Sequence, residues 1–518
     1  MRWTLLMSAH AKTLRLILGV TLYALPGWAG DSSYITGKIQ QFHQQSENCS
    51  DQGQPEDCIT ARNMRNLMPL IAGYVTPMAY GCVGDGVADD TRCLQNAIDA
   101  AQMAGLPLRF DTAHLFNITH TLTISAPIYI EGQYRYGIWV VNQSTGKGPE
   151  ACPWGLVTRN TDIDMIRASA VTGTIRGLCI DMTGNQSINP TAGAAINLTP
   201  PDSLHYSSGW HIEQNTILQP FDGIAAYGTG PGKLCCGVGT TADGDAILRN
   251  TIVSPAGSAI SIGKDHVNNA AGPGTVGITV SDNDIVCKTK ISKSQGIGVA
   301  LYEGAIWYDG TQNGPEGCHI GTLVAPGVIS GQQQAAQFDG DGVLGDQSGL
   351  YDFLVRPEGG LIWSLNVSGK QPWANATSDK TAVLVDCTVS GSSCQEFTFN
   401  SATLKAGPNL AHPIFDIEGG AGGPYDVTIA NSMICPNPGG SSNRGGTGIK
   451  LNAGAGPTGR WIITGNRIGT GCPGLELGTG ISLTIDAGST AHGSVTITDN
   501  DISVATRPIA YSPAAADN

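Results

Sequence analysis

The clearest pattern in the chain is an alternation of apolar and polar positions, broken at intervals by asparagine. It appears as HIEQNTI (His211–Ile217), AILRNTI (Ala246–Ile252), TVSDNDI (Thr279–Ile285), TIANSMI (Thr428–Ile434), IITGNRI (Ile462–Ile468) and TITDNDI (Thr496–Ile502). The asparagines are Asn215, Asn250, Asn283, Asn431, Asn466 and Asn500, spaced 35, 33, 35 and 34 residues within the two runs. Alternation of period two is the mark of a strand. A fixed period of this length marks a repeat in which each unit buries its apolar residues against its neighbours.

A second element follows each of the first five asparagines: DGIAAY (Asp222–Tyr227), SAISIG (Ser258–Gly263), QGIGVA (Gln295–Ala300), TGIKLN (Thr447–Asn452) and TGISLT (Thr479–Thr484). Each unit therefore reads as strand, asparagine turn, short strand, loop and outward-facing strand. Asparagine suits the turn because it tolerates left-handed backbone and its amide can bond to the same site one coil on. Parallel strands one repeat apart, with no crossover helices, predict an all-β solenoid. Between Asn283 and Asn431 the phase blurs: HPIFDIEGG (His412–Gly420) reads as one more outward strand, and Gln332–Lys380 as coils with long insertions.

Helical periodicity is confined to the region before residue 105. In Met78–Ala104, MAYGCVGDGVADDTRCLQNAIDAAQMA, the residues Leu94, Ala97, Ile98 and Ala101 form one apolar stripe. Asp89, Asp90 and Thr91 occupy N-cap and first-turn positions, and Gly105 the C′ position. Gly84-Asp85-Gly86 has too few oxygens for a calcium loop and lacks the lysine of a phosphate loop, so it reads as turn chemistry. The helix, about 89–104, is expected to cover the open apolar end of the solenoid.

Composition agrees with many short strands and tight turns: 518 residues include 70 glycines, and only 14% are charged. With 28 basic against 42 acidic side chains the net charge is −14, which argues against nucleic acid as a partner. Arg2, Lys12 and Arg15 precede the apolar run Leu16–Leu25, and Gly27-Trp28-Ala29 supplies small residues for cleavage, so 1–29 reads as a signal peptide. Residues 30–73 read as a partly helical N-terminal extension, 74–511 as the solenoid and 512–518 as a tail. No other run is long and apolar enough to cross a membrane, and an exported protein, periplasmic or extracellular, is expected. The 14 cysteines then favour disulfides. Cys49/Cys58, Cys82/Cys93 and Cys387/Cys394 are the natural local pairs, while Cys235 and Cys236 are expected to find other partners.

The run AYGCVGDGVADDTRCLQNAIDAA (79–101) resembles the entry segment of the pectate-lyase-type (pectin-lyase-like) right-handed β-helix proteins, which carry Gly-x-x-Gly-Asp-Gly, then Asp-Asp-Thr, then a capping helix. The likeness is specific over about 25 residues and extends more loosely to Ile502. That family includes polygalacturonase-like hydrolases, polysaccharide lyases, uronan epimerases and phage tailspikes. It implies a right-handed coil and a carbohydrate polymer lying along the outward strands.

Hydrolysis of a glycosidic bond asks for two carboxyl groups. β-Elimination asks for a base and a group that neutralises a uronate. Most outward positions are bland (Ser258, Ser261, Gly298, Thr479, Ser482), and the exceptions gather in the middle coils. Asp222 opens its strand, at the position where polygalacturonase-like enzymes carry catalytic aspartates. Lys264, Asp265 and His266 follow the next strand; Tyr302 and Glu303 end the one after. Asp222 with Asp265 or Glu303 would supply the carboxyls of a hydrolase, and Lys264 and His266 would hold the sugar. In a lyase, Lys264 or His266 would be the base and Tyr302 the acid. Tyr227, Tyr302, Asp243 and Asp245 are expected to bind substrate. The polygalacturonase signature itself departs: Asn160-Thr161-Asp162 runs into Ile163-Asp164, Gly257-Ser258-Ala259 replaces Gly-His-Gly, and Lys288-Thr289-Lys290 lies in a turn.

A second group, Asp339, Asp341, Asp346 and Asp352 beside Arg356, has turn chemistry that could hold Ca²⁺; no other cofactor is expected. His412, Asp416 and Glu418 form a third group, read as mixed across two faces of one strand. The expected function is polysaccharide cleavage, leaning to hydrolysis. A lyase is the first rival and a non-catalytic surface or carbohydrate-binding protein the second. The sequence leaves the oligomeric state open.

Overall fold

The computed structural model describes residues 72–512 apart from internal stretches, the longest being 134–151, 183–191, 199–208, 227–243, 288–295, 437–445 and 485–492. Residues 1–29, expected to be a signal peptide, nearly all of 30–73, expected to be an N-terminal extension, and Cys49, Cys58, Cys235 and Cys236 lie outside the described residues. Residues Tyr74–Asn518 form one compact unit, separate from Met1–Gly73.

The unit is a right-handed parallel β-helix with three sheets. Sheet 1 stacks thirteen strands, from Leu108–Arg109 to Ser494–Thr498. Sheet 3 also stacks thirteen, from Leu122–Ile124 to Val504–Ser512. Sheet 2 consists of short strands between them, seven from Asp85–Asp89 to Asp284–Val286 and five from Ala374–Asn375 to Asp501–Ile502. The chain runs from sheet 1 to sheet 2 to sheet 3 in turn wherever a sheet 2 strand is present.

The asparagine turns join sheet 1 to sheet 2. Asn215, Asn250 and Asn283 are buried. The Asn250 amide donates to Ile212 O (2.8 Å) and Asn283 Oδ1 (2.9 Å), while its own Oδ1 accepts from Asn215 N and Nδ2 (3.0 Å each). Asn466 and Asn500 repeat the arrangement. The left-handed residue is the one before the asparagine: Gln214 (φ 56°), Arg249 (φ 54°), Asp282 (φ 54°) and Asp499 (φ 57°). Asn431 is itself left-handed (φ 51°). It therefore stands one residue out of phase, and the ladder position in that coil is Ser432, whose N–H donates to Asn466 Oδ1 at 2.9 Å.

The helix spans Thr91–Ala104, with Leu94, Ala97, Ile98 and Ala101 buried and Gly105 left-handed (φ 62°). Asp90 is the N-cap residue, but its carboxylate turns away to accept Val83 N (2.6 Å) and Gly84 N (3.0 Å). Asp89 accepts from Thr91 N (3.0 Å) instead. Asp85 accepts from Val87 N and Ala88 N, both at 2.8 Å, closing the glycine turn. At Gly84 (φ 66°) a Cβ would stand 2.7 Å from that of His114. The segment is thus structural, and a Cys82–Cys93 disulfide clips it. Across the open edge of sheet 3, Gln95 donates to Thr123 O and accepts from Thr123 N, both at 2.9 Å, so backbone groups with no strand beside them are satisfied by the helix.

Between Val286 and Ala374 no sheet 2 strand occurs among the described residues, yet sheet 3 runs on in register through Ile297, Ile320 and Tyr351. Here rings fill the core: Tyr308, Phe338, Phe353, Phe399 and Phe415 follow one another at centroid separations of 6.4, 5.5, 6.1 and 4.8 Å. Disulfides join Cys152–Cys179, Cys287–Cys318, Cys387–Cys394 and Cys435–Cys472. Two of the three local pairs expected from spacing, 82/93 and 387/394, are formed.

Candidate functional site

Parallel pairing fixes which side chains line up on the outside of sheet 3. With Ile224, Ile260 and Val299 pointing inward, the outward column running downstream from Asn197 is Ala225, Ser261, Ala300, Leu323, Leu354, Leu384, Asp416, Lys450 and Ser482. Its middle part is closed. Ala300, Leu323 and Leu354 are buried and, with Ala325, form an apolar cluster outside the main core. A polymer has no access to that floor. The column turns polar at Asp416, which is itself still buried with 9% of its surface exposed, and is half-buried at Lys450 and Ser482.

Asp416 and Glu418 lie on the strand Phe415–Glu418, whose Phe415 and Ile417 are in the core. They therefore share the outer face, and only His412, which precedes the strand, stands apart. Lys450, on the next strand (Thr447–Asn452), pairs with Asp416 in the ladder. Its Nζ donates to Glu418 Oε1 and lies 3.5 Å from Asp416 Oδ1. Asn452 Nδ2 donates to the other oxygen of Glu418 at 2.9 Å. One coil earlier, Asp386 pairs with Glu418 in register, and its carboxylate lies 3.5 Å from Arg356 Nε.

The electrostatics single out Asp416. Burial, and then the charge of Glu418, push Asp416 up to about 6, against the pull of Lys450. Burial would lower Lys450, but its bond to Glu418 and the charge of Asp416 outweigh that and hold it above the usual lysine range. Tyr351 is raised by burial, and by Asp386 and Asp416 against Arg356. One carboxyl is thus protonated in a good fraction of molecules near pH 6, beside a second tied down by a cation and an amide. That is the division of labour acid–base chemistry requires.

The residues singled out in the sequence fall elsewhere. Asp222 starts its strand buried, with 1% of its surface exposed, and accepts the N–H of Ser258 on the next coil at 2.7 Å. Tyr302 lies near it: burial and the charge of Asp222 raise its hydroxyl, which bonds to Ser258. Glu303 is 3% exposed. Asp245, 1% exposed, accepts the N–H of Trp210 at 2.8 Å. The structure brings Asp222, Ser258 and Tyr302 together, the first two buried and the tyrosine half-buried. Lys264 and Asp265 form a two-residue strand antiparallel to Ala270–Ala271; His266, Tyr227 and Asp243 lie outside the described residues.

The aspartate-rich group is divided. Asp339 is exposed on sheet 1, where Asn366 Nδ2 donates to it at 3.3 Å, whereas Asp352 is buried on sheet 3. Asp346 lies outside the described residues. Among the described residues the donors that gather tightly enough for a metal are Cys82, Asp90 and Cys93, and two of these are consumed by a disulfide. They do not make an oxygen cage for Ca²⁺.

What the sequence reading missed is Lys450 with Asn452 and Asp386. A signal was present: in TGIKLN the alternation puts Lys450 and Asn452 outward, where the sister strand TGISLT carries Ser482 and Thr484.

Comparison with known proteins places this geometry in context. No protein-family profile and no curated protein matches the sequence. Among solved structures, the catalytic unit of a GH87 α-1,3-glucanase from Streptomyces thermodiastaticus superposes with a TM-score of 0.49 at 15% identity, over 84% of this chain and 70% of that one. The A-module of the mannuronan C-5 epimerase AlgE4 from Azotobacter vinelandii gives 0.46 at 13%, over 84% and 99%. The Streptococcus pneumoniae surface protein and adhesin PfbA gives 0.41 at 10%, over 85% and 99%. The likeness is one of fold. It assigns neither a reaction nor a substrate, and those rest on the residues of sheet 3.

Proposed function

We propose that the protein hydrolyses a polysaccharide laid across the polar end of sheet 3. The observation that carries this is the pair Asp416 and Glu418, two carboxyls on the outer face of one strand, of which Asp416 is raised to about 6 and Glu418 is bonded to Lys450 and Asn452. Asp416 would protonate the departing glycosidic oxygen. Glu418, positioned by its bonds to Lys450 and Asn452, would act as base or nucleophile towards the sugar. Strands about 4.8 Å apart let side chains of neighbouring coils reach the same linkage. β-Elimination fits less well, because the lysine at this site is held charged by two carboxylates and is a poor base.

The test is product analysis on purified protein with a panel of neutral and uronate-containing polysaccharides. New reducing ends without an ultraviolet-absorbing unsaturated sugar are expected. Asp416→Asn and Glu418→Gln should each lower the rate by about 10²–10⁴-fold. Unsaturated products would replace this reading with a lyase. Loss of activity in Asp265→Asn or His266→Ala, with Asp416→Asn unaffected, would move the site to the loop after Ser258–Ile262.

A further inference from the structure

Sheet 1 carries a feature the cleavage site does not use. Trp307 and Trp363 are 45% and 54% exposed, large apolar side chains left in water on a regular sheet. Trp307 lies between the buried Ile306 and Tyr308 on the strand Gly304–Asp309, so alternation alone sends it outward. Trp363 has a different cause. On the strand Leu361–Ser368 the ladder steps from Ala336↔Ile362 to Gln337↔Ser364 and skips it. It is the extra residue of a β-bulge, a device that re-aims a side chain at the cost of one ladder pair.

The two rings stand on the same outer face. In register, Trp307 aligns with Asp339 and then Asn366. Trp363 is therefore two strands away, roughly 10 Å across, and about another 10 Å along the strand. Between them are the exposed Gln337, Asp339 and Asn366, the last two bonded to each other. Two flat apolar surfaces on a rigid support, separated by hydrogen-bonding groups, match a sugar chain: ring faces present C–H groups, and the rims present hydroxyls. A protein partner would ask for a contiguous apolar core, which polar residues interrupt here.

We propose that Trp307 and Trp363 form a non-catalytic polysaccharide-binding surface on sheet 1, distinct from the cleavage site on sheet 3, that holds the enzyme on an extended or insoluble polymer. This rests on the polysaccharide reading above but not on which residues cut.

The experiment is pull-down of the full chain by insoluble cellulose, chitin, α-glucan and β-glucan, with Glu418→Gln as the uncut reference. Retention on at least one polymer is expected. Trp307→Ala and Trp363→Ala should each weaken it about tenfold, and the double variant should abolish it. Trp→Phe should restore part, and turnover of soluble oligosaccharides and the thermal midpoint should not change. Undiminished retention by the double variant, or no retention of any form, overturns the proposal. So does a change of sedimentation from dimer to monomer in the double variant, which would make the surface a contact between copies. Retention lost while cleavage persists, or the reverse in Asp416→Asn, tells the two surfaces apart.

Discussion

At the scale of single residues, the site depends on one ammonium group shared by two carboxyls. Asp416 titrates near 6 in the folded chain and near 3.8 when unfolded, so between those values the folded state holds a proton that the unfolded state has lost. The stabilisation from this group is complete below about pH 4 and disappears as pH rises through about 6. Lys450 limits the effect, because it is the cation that touches both acids. In Lys450→Met the acids repel each other unopposed, and the pair should take up protons at higher pH. The drop in thermal midpoint between pH 5 and pH 7.5 should then be larger than in the parent, and the alkaline limb of activity should move up. Equal drops would mean that the lysine is a surface ornament. The acids were picked out in the sequence, but with His412 as a group mixed across two faces, whereas the alternation of FDIE puts both carboxyls on one face. Their pairing with Lys450 was not legible, because it depends on a register that only the stacked coils define.

At the scale of the element, the ladder of asparagines holds the corner between sheets 1 and 2. Asn250→Ala would leave the N–H of Asn215, its amide and the carbonyl of Ile212 without their partner in a buried corner. An unsatisfied buried group costs about 1–3 kcal/mol, so a loss of about 3–5 kcal/mol is expected in denaturant titration. A loss below about 1 kcal/mol would show that water replaces the amide. The repeat was readable because this corner accepts one side chain and repeats it. Its phase was misread at Asn431, where asparagine takes the left-handed position and Ser432 the ladder. Either residue type fits a local bond, and only the coil above decides between them. Between Asn283 and Asn431 the asparagine signal vanished because the corner it builds is missing: among the described residues no sheet 2 strand occurs between Val286 and Ala374, and where the corner returns Ala402 holds the ladder position. The outward strands were foreseen as strands. Their burial at Ala300, Leu323 and Leu354 was not, since closure of an outer face depends on how neighbouring columns align.

At the scale of the whole molecule, a solenoid is close to one-dimensional: each coil touches its neighbours, and stability is a sum of local terms. Damage should therefore stay where it is made. Phe399 meets Phe415 edge-on at 4.8 Å, and Phe415 is the residue before Asp416. Phe116 lies in the early coils, against Phe110 at 5.6 Å. Each ring is 1% exposed, so either change to alanine opens a comparable cavity costing about 3–5 kcal/mol. The consequences should differ. Phe399→Ala loosens the coils that carry the carboxyls, so activity should fail several degrees below the temperature at which circular dichroism reports loss of the strands. Phe116→Ala loosens the capped end, and activity should survive to the temperature of the parent even as the first strands melt. Local opening of this kind is expected wherever cooperative units are smaller than the fold. If both variants lose activity and strand signal together at one temperature, the thirteen coils melt as one body and the one-dimensional account fails.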